Sequence, residues 1–169
     1  MRAITAIADL TNHQVRLASR PVGLPTRANW TFSSEPVAAP GPGGVLVKTL
    51  YLSLDPAMRG WMNEGKSYIA PVELGAVMRA AGVGQVIASQ NPAFAVGDYV
   101  NAGLDVQKYC LIAQEQIKRS GIFRIDPRLG LTPWLNVLGM PGMTATLACW
   151  TWASPKLATP WWCLARPAR

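Results

Sequence analysis

V-L-V-K-T-L-Y-L-S-L, residues 45–54, decides the fold. It is apolar or β-branched at nearly every position, the pattern of a central strand. Asp55-Pro56 ends it. Pro56 has a fixed φ suited to the first turn of a helix, and Asp55 is the expected N-cap. D-P-A-M-R-G-W-M-N (55–63) therefore predicts a short helix or turn that carries side chains from a strand end into a cleft.

On the N-terminal side, N-H-Q-V-R-L-A-S-R-P (12–21) alternates Val15 and Leu17 with polar neighbours, as a half-exposed strand does. Pro21, Gly23 and Pro25 break it. N-W-T-F-S-S-E-P (29–36) predicts a second short strand, and Pro36 to Gly44 a Pro/Gly loop. On the C-terminal side, residues 67–73 read as a loop. A-V-M-R-A-A-G-V-G-Q-V-I-A-S (76–89) then offers two readings of Gly82 and Gly84. A phosphate loop needs G-x-G-x-x-G between a strand and a helix. Here the third glycine is missing and a strand follows. The favoured reading is a strand that kinks or bulges where another backbone approaches. V-G-D-Y-V-N (96–101), with a corner at Gly97-Asp98, V-Q-K-Y-C-L-I-A (106–113) and I-F-R-I-D-P (122–127) add further strands. Many short strands with Gly/Pro corners indicate a barrel or sandwich. From Thr132 the period changes. T-P-W-L-N-V-L-G-M predicts a helix with Thr132 as N-cap, Pro133 at the first position, and Trp134, Leu135 and Leu138 on one side. A second helix should open at Pro141.

Composition narrows the function. The 169 residues are 50% hydrophobic, enough for one domain, or one domain and a tail. Of the net charge of +7, residues 1–145 carry +4 and residues 146–169 the rest. Without Lys/Arg clusters this is a basic surface and not a nucleic-acid footprint. His13 is the only histidine, and Cys110, Cys149 and Cys163 form no C-x-x-C, so no zinc site is expected. Cys110 reads as a small buried apolar residue. The N-terminus makes a poor signal peptide, and no apolar run of ~18 residues suggests a membrane span. The expected location is cytoplasmic.

Five pieces carry a family resemblance: 12–25, 41–60 (with D-P-A-M-R-G), 82–89, 94–100 and L-G-M-P-G-M-T-A at 138–145. They resemble the zinc-independent, NADPH-dependent branch of the medium-chain dehydrogenase/reductases, which includes prostaglandin/leukotriene, alkenal double-bond and curcumin reductases. The resemblance implies a GroES-like, partly open β-barrel over residues 1–131, and a helical connection at 132–145 toward a Rossmann domain. It implies hydride transfer from NADPH to the β-carbon of an enone or enal, followed by protonation of the enolate. It places Thr144 near the nicotinamide; the alternative is a helix-opening threonine with no ligand role. It makes Ala57 and Met58 substrate-lining. Relatives often carry tyrosine at position 57, so alanine there removes aromatic stacking on the substrate. Met58 reads equally as core, and Arg59 as a structural salt-bridge former or a substrate contact. No catalytic residue is assigned. The partner is a small enone or enal, and the resemblance allows a homodimer.

After Ala145 the composition breaks. Four of the seven tryptophans (Trp150, Trp152, Trp161, Trp162) lie in the last twenty residues, and residues 146–169 hold three bases and no acid. The resembling family continues with Tyr-Thr-Gly-Leu-Leu-Asp-Val-Gly, a Pro/Gly corner, a Val-rich strand and a Gly-rich turn. Back-translation connects the two. With suitable synonymous codons, one base added after the Ala145 codon converts residues 146–169 into Tyr-Thr-Gly-Leu-Leu-Asp-Val-Gly-Glu-Pro-Gln-Ala-Gly-Asp-Thr-Val-Val-Val-Ser-Gly-Ala-Ala-Gly-Ala. Tryptophan has one codon, so each Trp-Trp or Trp-x-Trp fixes bases that decode as Gly and Val in the other frame. The expectation is a frameshifted tail at 146–169, poorly packed and sticky. The Rossmann domain is then missing, no cofactor is bound by this chain, and reductase activity is negligible. The alternative is a non-enzymatic GroES-like binding or assembly module with the tail as a contact.

Overall fold

The structure, a computed structural model, describes residues 7–65 and 69–152. It is mainly β, in two sheets that do not close into a complete barrel, with a few short helices. The run at 45–54 forms β3 (Val45–Leu52). Val45, Leu46 and Val47 are all buried, so both faces of the strand are covered. β3 lies between β4 (Ala81–Ser89) and β6 (Tyr109–Ile112). β5 (Tyr99–Gly103) and the two-residue β7 (Phe123–Arg124) complete an antiparallel sheet of order β6-β3-β4-β5-β7. One face packs Val45, Val47, Val86, Val100, Leu104 and Ile112. The other packs Leu46 against Val37 and Tyr109.

The close backbone approach expected at Gly82 and Gly84 is present, but the bulged residue, Leu50, lies on β3 opposite them. The β3–β4 register shifts between Thr49 and Tyr51. A Cβ on Gly84 would lie 2.6 Å from the Lys48 carbonyl oxygen, and one on Gly82 would lie 2.8 Å from that of Tyr51. Strand backbones meet there too closely for any side chain.

β1 (Thr11–Leu17) and β2 (Trp30–Pro36) form the second sheet, paired from Thr11↔Pro36 to Leu17↔Trp30. β1 is stitched to the rest by backbone bonds to Val106 and Met78 at 2.9 and 2.8 Å, and by a buried amide cluster. Asn12 Nδ2 and Gln14 Nε2 both donate to Gln107 Oε1, at 3.0 and 3.2 Å. Asn12 Oδ1 accepts the Tyr109 N–H at 2.8 Å. Buried amides need such partners, since an unsatisfied one costs about 1–3 kcal/mol.

The helices correct several expectations. α1 (Ala57–Trp61) opens after Pro56, and no Asp55 side-chain cap forms. Asp55 instead uses its backbone, accepting the Met58 N–H at 3.0 Å. α2 (Gln114–Ser120) was not expected from the sequence. Its signals are present, however: Gln116 Oε1 accepts the Ala113 N–H at 3.0 Å, and Gly121 adopts φ +64 just beyond the end. The helix expected from Thr132 is only a 3-10 turn, Thr132–Leu135, capped by Leu131 and not by Thr132. α3 (Met140–Trp152) begins one residue before Pro141. Trp161, Trp162 and the rest of 153–169 lie outside the described residues.

Candidate functional site

β3 delivers its last residues to the rim of the barrel. Tyr51 and Leu52 pair with Val83 and Gly82, and the Ser53 N–H donates to the Ala81 carbonyl at 2.8 Å. Beyond that point the chain is free of the sheet. Tyr51, Leu52, Ser53, Leu54 and Asp55 form one wall of an open groove of ≈ 420 Å³. Thr132, Leu135, Asn136 and Pro141, from the connection after the barrel, form the other. Leu54 is 81% exposed and Tyr51 47% exposed, unusual for the continuation of a core strand. The groove is mixed, with Ser53, Asp55 and Asn136 beside Leu52, Leu54 and Leu135, which suits a small ligand with both apolar and polar parts.

The site residues singled out by sequence lie outside this lining. Ala57 is exposed on α1. Met58 is buried with Leu17, Met62 and Met78, and its sulfur lies 3.4 Å from the Asp55 N–H. Neither is in the groove's lining. Arg59 makes its three bonds to Gly23 O at 2.9 Å, Pro21 O at 2.9 Å and Asn63 Oδ1 at 2.6 Å. Its guanidinium clamps the 21–23 loop to α1; among the described residues it forms no salt bridge, and it does not line the groove. Thr144 is exposed on α3, its hydroxyl donating to the Met140 carbonyl at 2.9 Å. Sequence reasoning missed Tyr51, Leu54, Leu135 and Asn136. Only the Asp55-Pro56 stop pointed to this end of β3.

Two perturbed groups lie away from the groove. Burial pushes the Asp105 carboxyl up, partly offset by a hydrogen bond with the Ala80 backbone and by the Arg79 charge. Burial, reinforced by the Asp105 charge, pushes the Cys110 thiol up to about 12. That disqualifies Cys110 as a nucleophile and fits its reading as a buried apolar residue. Among the described residues no three His, Cys, Asp or Glu side chains gather as a metal site, and no helix is long and apolar enough to cross a membrane. The Gly82–Gly84 segment does not form a phosphate loop. The space beside Gly82 and Gly84 is filled by Val47, Lys48 and Tyr51, so no pyrophosphate can approach.

With this geometry in hand, comparison with known proteins is direct. Residues 13–120 match the family model described as the N-terminal domain of oxidoreductase, and the chain belongs to that family. It is 39% identical over 145 residues to the NADPH-dependent curcumin reductase of Escherichia coli, covering 86% of this chain and 41% of that protein. It is 34% identical over 154 residues to the NADP(+)-dependent 2-alkenal reductase of Nicotiana tabacum, covering 88% and 43%. The crystal structure of CurA from Vibrio vulnificus in complex with NADPH superposes with a TM-score of 0.73 at 38% identity, covering 82% of this chain and 40% of that one. The chain thus spans about two fifths of the length of these relatives.

Proposed function

We propose that this chain is the barrel domain of an NADPH-dependent reductase of enone or enal double bonds. The observation that carries the reading is the open groove at the rim of β3, on a domain shared with a curcumin reductase and a 2-alkenal reductase. In this reading the Tyr51–Asp55 wall holds the apolar body of the substrate. The cofactor chemistry belongs to the part of the relatives beyond the matched two fifths. Hydride transfer needs donor and acceptor held at near-attack distance, and a groove wall alone does not hold a dinucleotide.

The reading includes the break after Ala145. Residues 146–169 are a translation in the wrong frame, and the intact protein continues with a cofactor domain in the other frame. The change of composition beyond Ala145, with four of the seven tryptophans and no acid there, supports it. Sequencing the DNA across the Ala145 codon comes first, followed by expression of the chain as it stands and with one base restored. NADPH oxidation is then measured with curcumin and with a 2-alkenal. The expected result is turnover by the restored protein only. An absent downstream frame, or a restored protein that reduces neither substrate, overturns the reading.

A further inference from the structure

Trp134 is held from three directions. Its backbone oxygen accepts Asn101 Nδ2–H at 2.7 Å. Its indole N–H donates to the Asp126 carbonyl at 3.2 Å. Its ring packs at a tilt on Phe123, with centroids 6.3 Å apart. Asn101 and Phe123 are opposed residues on β5 and β7, so both project from one face of the sheet. Asp126 sits in a turn that its own carboxylate organises by accepting the Arg128 N–H at 3.0 Å.

The segment after Trp134 is folded tightly on itself. The Leu138 N–H reaches Pro133 O at 2.9 Å, and the Gly139 and Gly142 N–H groups both reach Asn136 O at 3.0 Å. A Cβ on Gly139 would collide with the Trp134 carbonyl, and one on Gly142 with that of Val137. The two glycines of the G-M-P-G stretch therefore let the start of α3 pack under the turn that Trp134 anchors. Trp134 itself does not line the groove, but Leu135 and Asn136 beside it do.

We infer that Trp134 is a positioning residue: seated by Asn101, Phe123 and Asp126, it fixes the Leu135–Asn136 wall of the groove and sets where α3 leaves the barrel. The functional half of this inference rests on reading the groove as a substrate wall. The barrel carries the three contacts, and the connection carries the wall that they place. Loss of the Asn101 bond releases the connection while the backbone pairing of Asn101 with Val83 of β4 stays in place, since the bond is made by the Asn101 side chain.

The test is hydrogen exchange by mass spectrometry on the full 169-residue chain, comparing Asn101→Ala and Trp134→Phe with the parent. Asn101→Ala removes the bond to the backbone, and Trp134→Phe keeps a ring but loses the indole N–H. Asn101→Ala should speed exchange over residues 132–139 by several-fold to about tenfold, the range expected for one hydrogen bond. Trp134→Phe should do so to a smaller extent. β3 and β4 should keep the parent's protection in both. Unchanged exchange over 132–139, or equal acceleration in β3 and β4, overturns the inference. In parallel, binding of benzalacetone, a small aryl enone, is followed by saturation-transfer NMR. Weaker binding by Asn101→Ala, with the barrel intact, supports the positioning role. Faster exchange with unchanged probe binding overturns that role. If the parent chain does not bind the probe, the substrate reading of the groove fails, and the exchange data alone decide whether Trp134 anchors the connection.

Discussion

β3 and α3 are both apolar, and they meet opposite fates. Val45 and Val47 of β3 are fully buried, while Met140 is 78% and Trp150 83% exposed on α3. β3 has a paired strand on each side and a packed cluster on each face. The start of α3 is anchored by the turn around Trp134. Apolar content supplies a driving force only where another element is present to receive it. The contrast separates a packed barrel from a connection that exposes much of its described apolar surface.

The sharpest way to break this contrast is to cut one leucine from each region. Leu104 is fully buried in the barrel core, so Leu104→Ala should cost about 2–5 kcal/mol in urea unfolding. Leu147→Ala on α3 should stay within about 0.5 kcal/mol. Equal losses would mean that α3 is packed and the contrast is wrong. A glycine pair sharpens it within the sheet. Gly84→Ala forces a Cβ onto the Lys48 carbonyl and should cost about 1–3 kcal/mol. Gly103→Ala, with open space around it, should be near neutral by the same measurement.

A third change tests how β1 is held to the barrel. Asn12→Ala leaves the Tyr109 N–H and Gln107 Oε1 short of a partner and should cost about 1–3 kcal/mol. An unchanged midpoint would mean that the β1 backbone bonds suffice. The smallest effect concerns pH. The folded Asp105 carboxyl is raised by burial, so between its unfolded and folded pKa values the native state binds more protons than the unfolded one. Stability therefore falls as pH rises through that window, which lies above the ordinary aspartate pKa. Asp105→Asn should flatten that slope in a series of thermal melts. Asparagine tolerates the left-handed backbone at this position, where φ is +56. An unaltered slope would remove Asp105 as its source.

Much of the barrel was legible because its signals are local. β1, β2 and β3 follow from alternation, from β-prone residues and from their Gly/Pro boundaries. Cys110 was read as buried and apolar, and it is. The misses have specific causes. α2 was overlooked between two strands although Gln116 and Gly121 mark its ends. Asp55 and Thr132 looked like caps because residue type was read without the backbone conformation that a cap requires. Of the site, the D-P-A-M-R-G segment drew attention to the correct end of β3. The lining itself comes from residues before it and from a turn about 80 positions further on.

The sequence by itself determined the class of fold, the place of β3 inside the sheet and the family. These depend on residue type and short-range order. Only the tertiary structure decided which side chains share a surface. It put Met58 into the core, spent Arg59 on the 21–23 loop, and turned Leu54 and Leu135 toward one groove. It also gave Trp134 its three partners from β5, β7 and the turn between them and the connection. Such contacts join residues far apart in the chain, and no local pattern encodes them, because the backbone geometry that brings them together is set by the packing of the whole sheet.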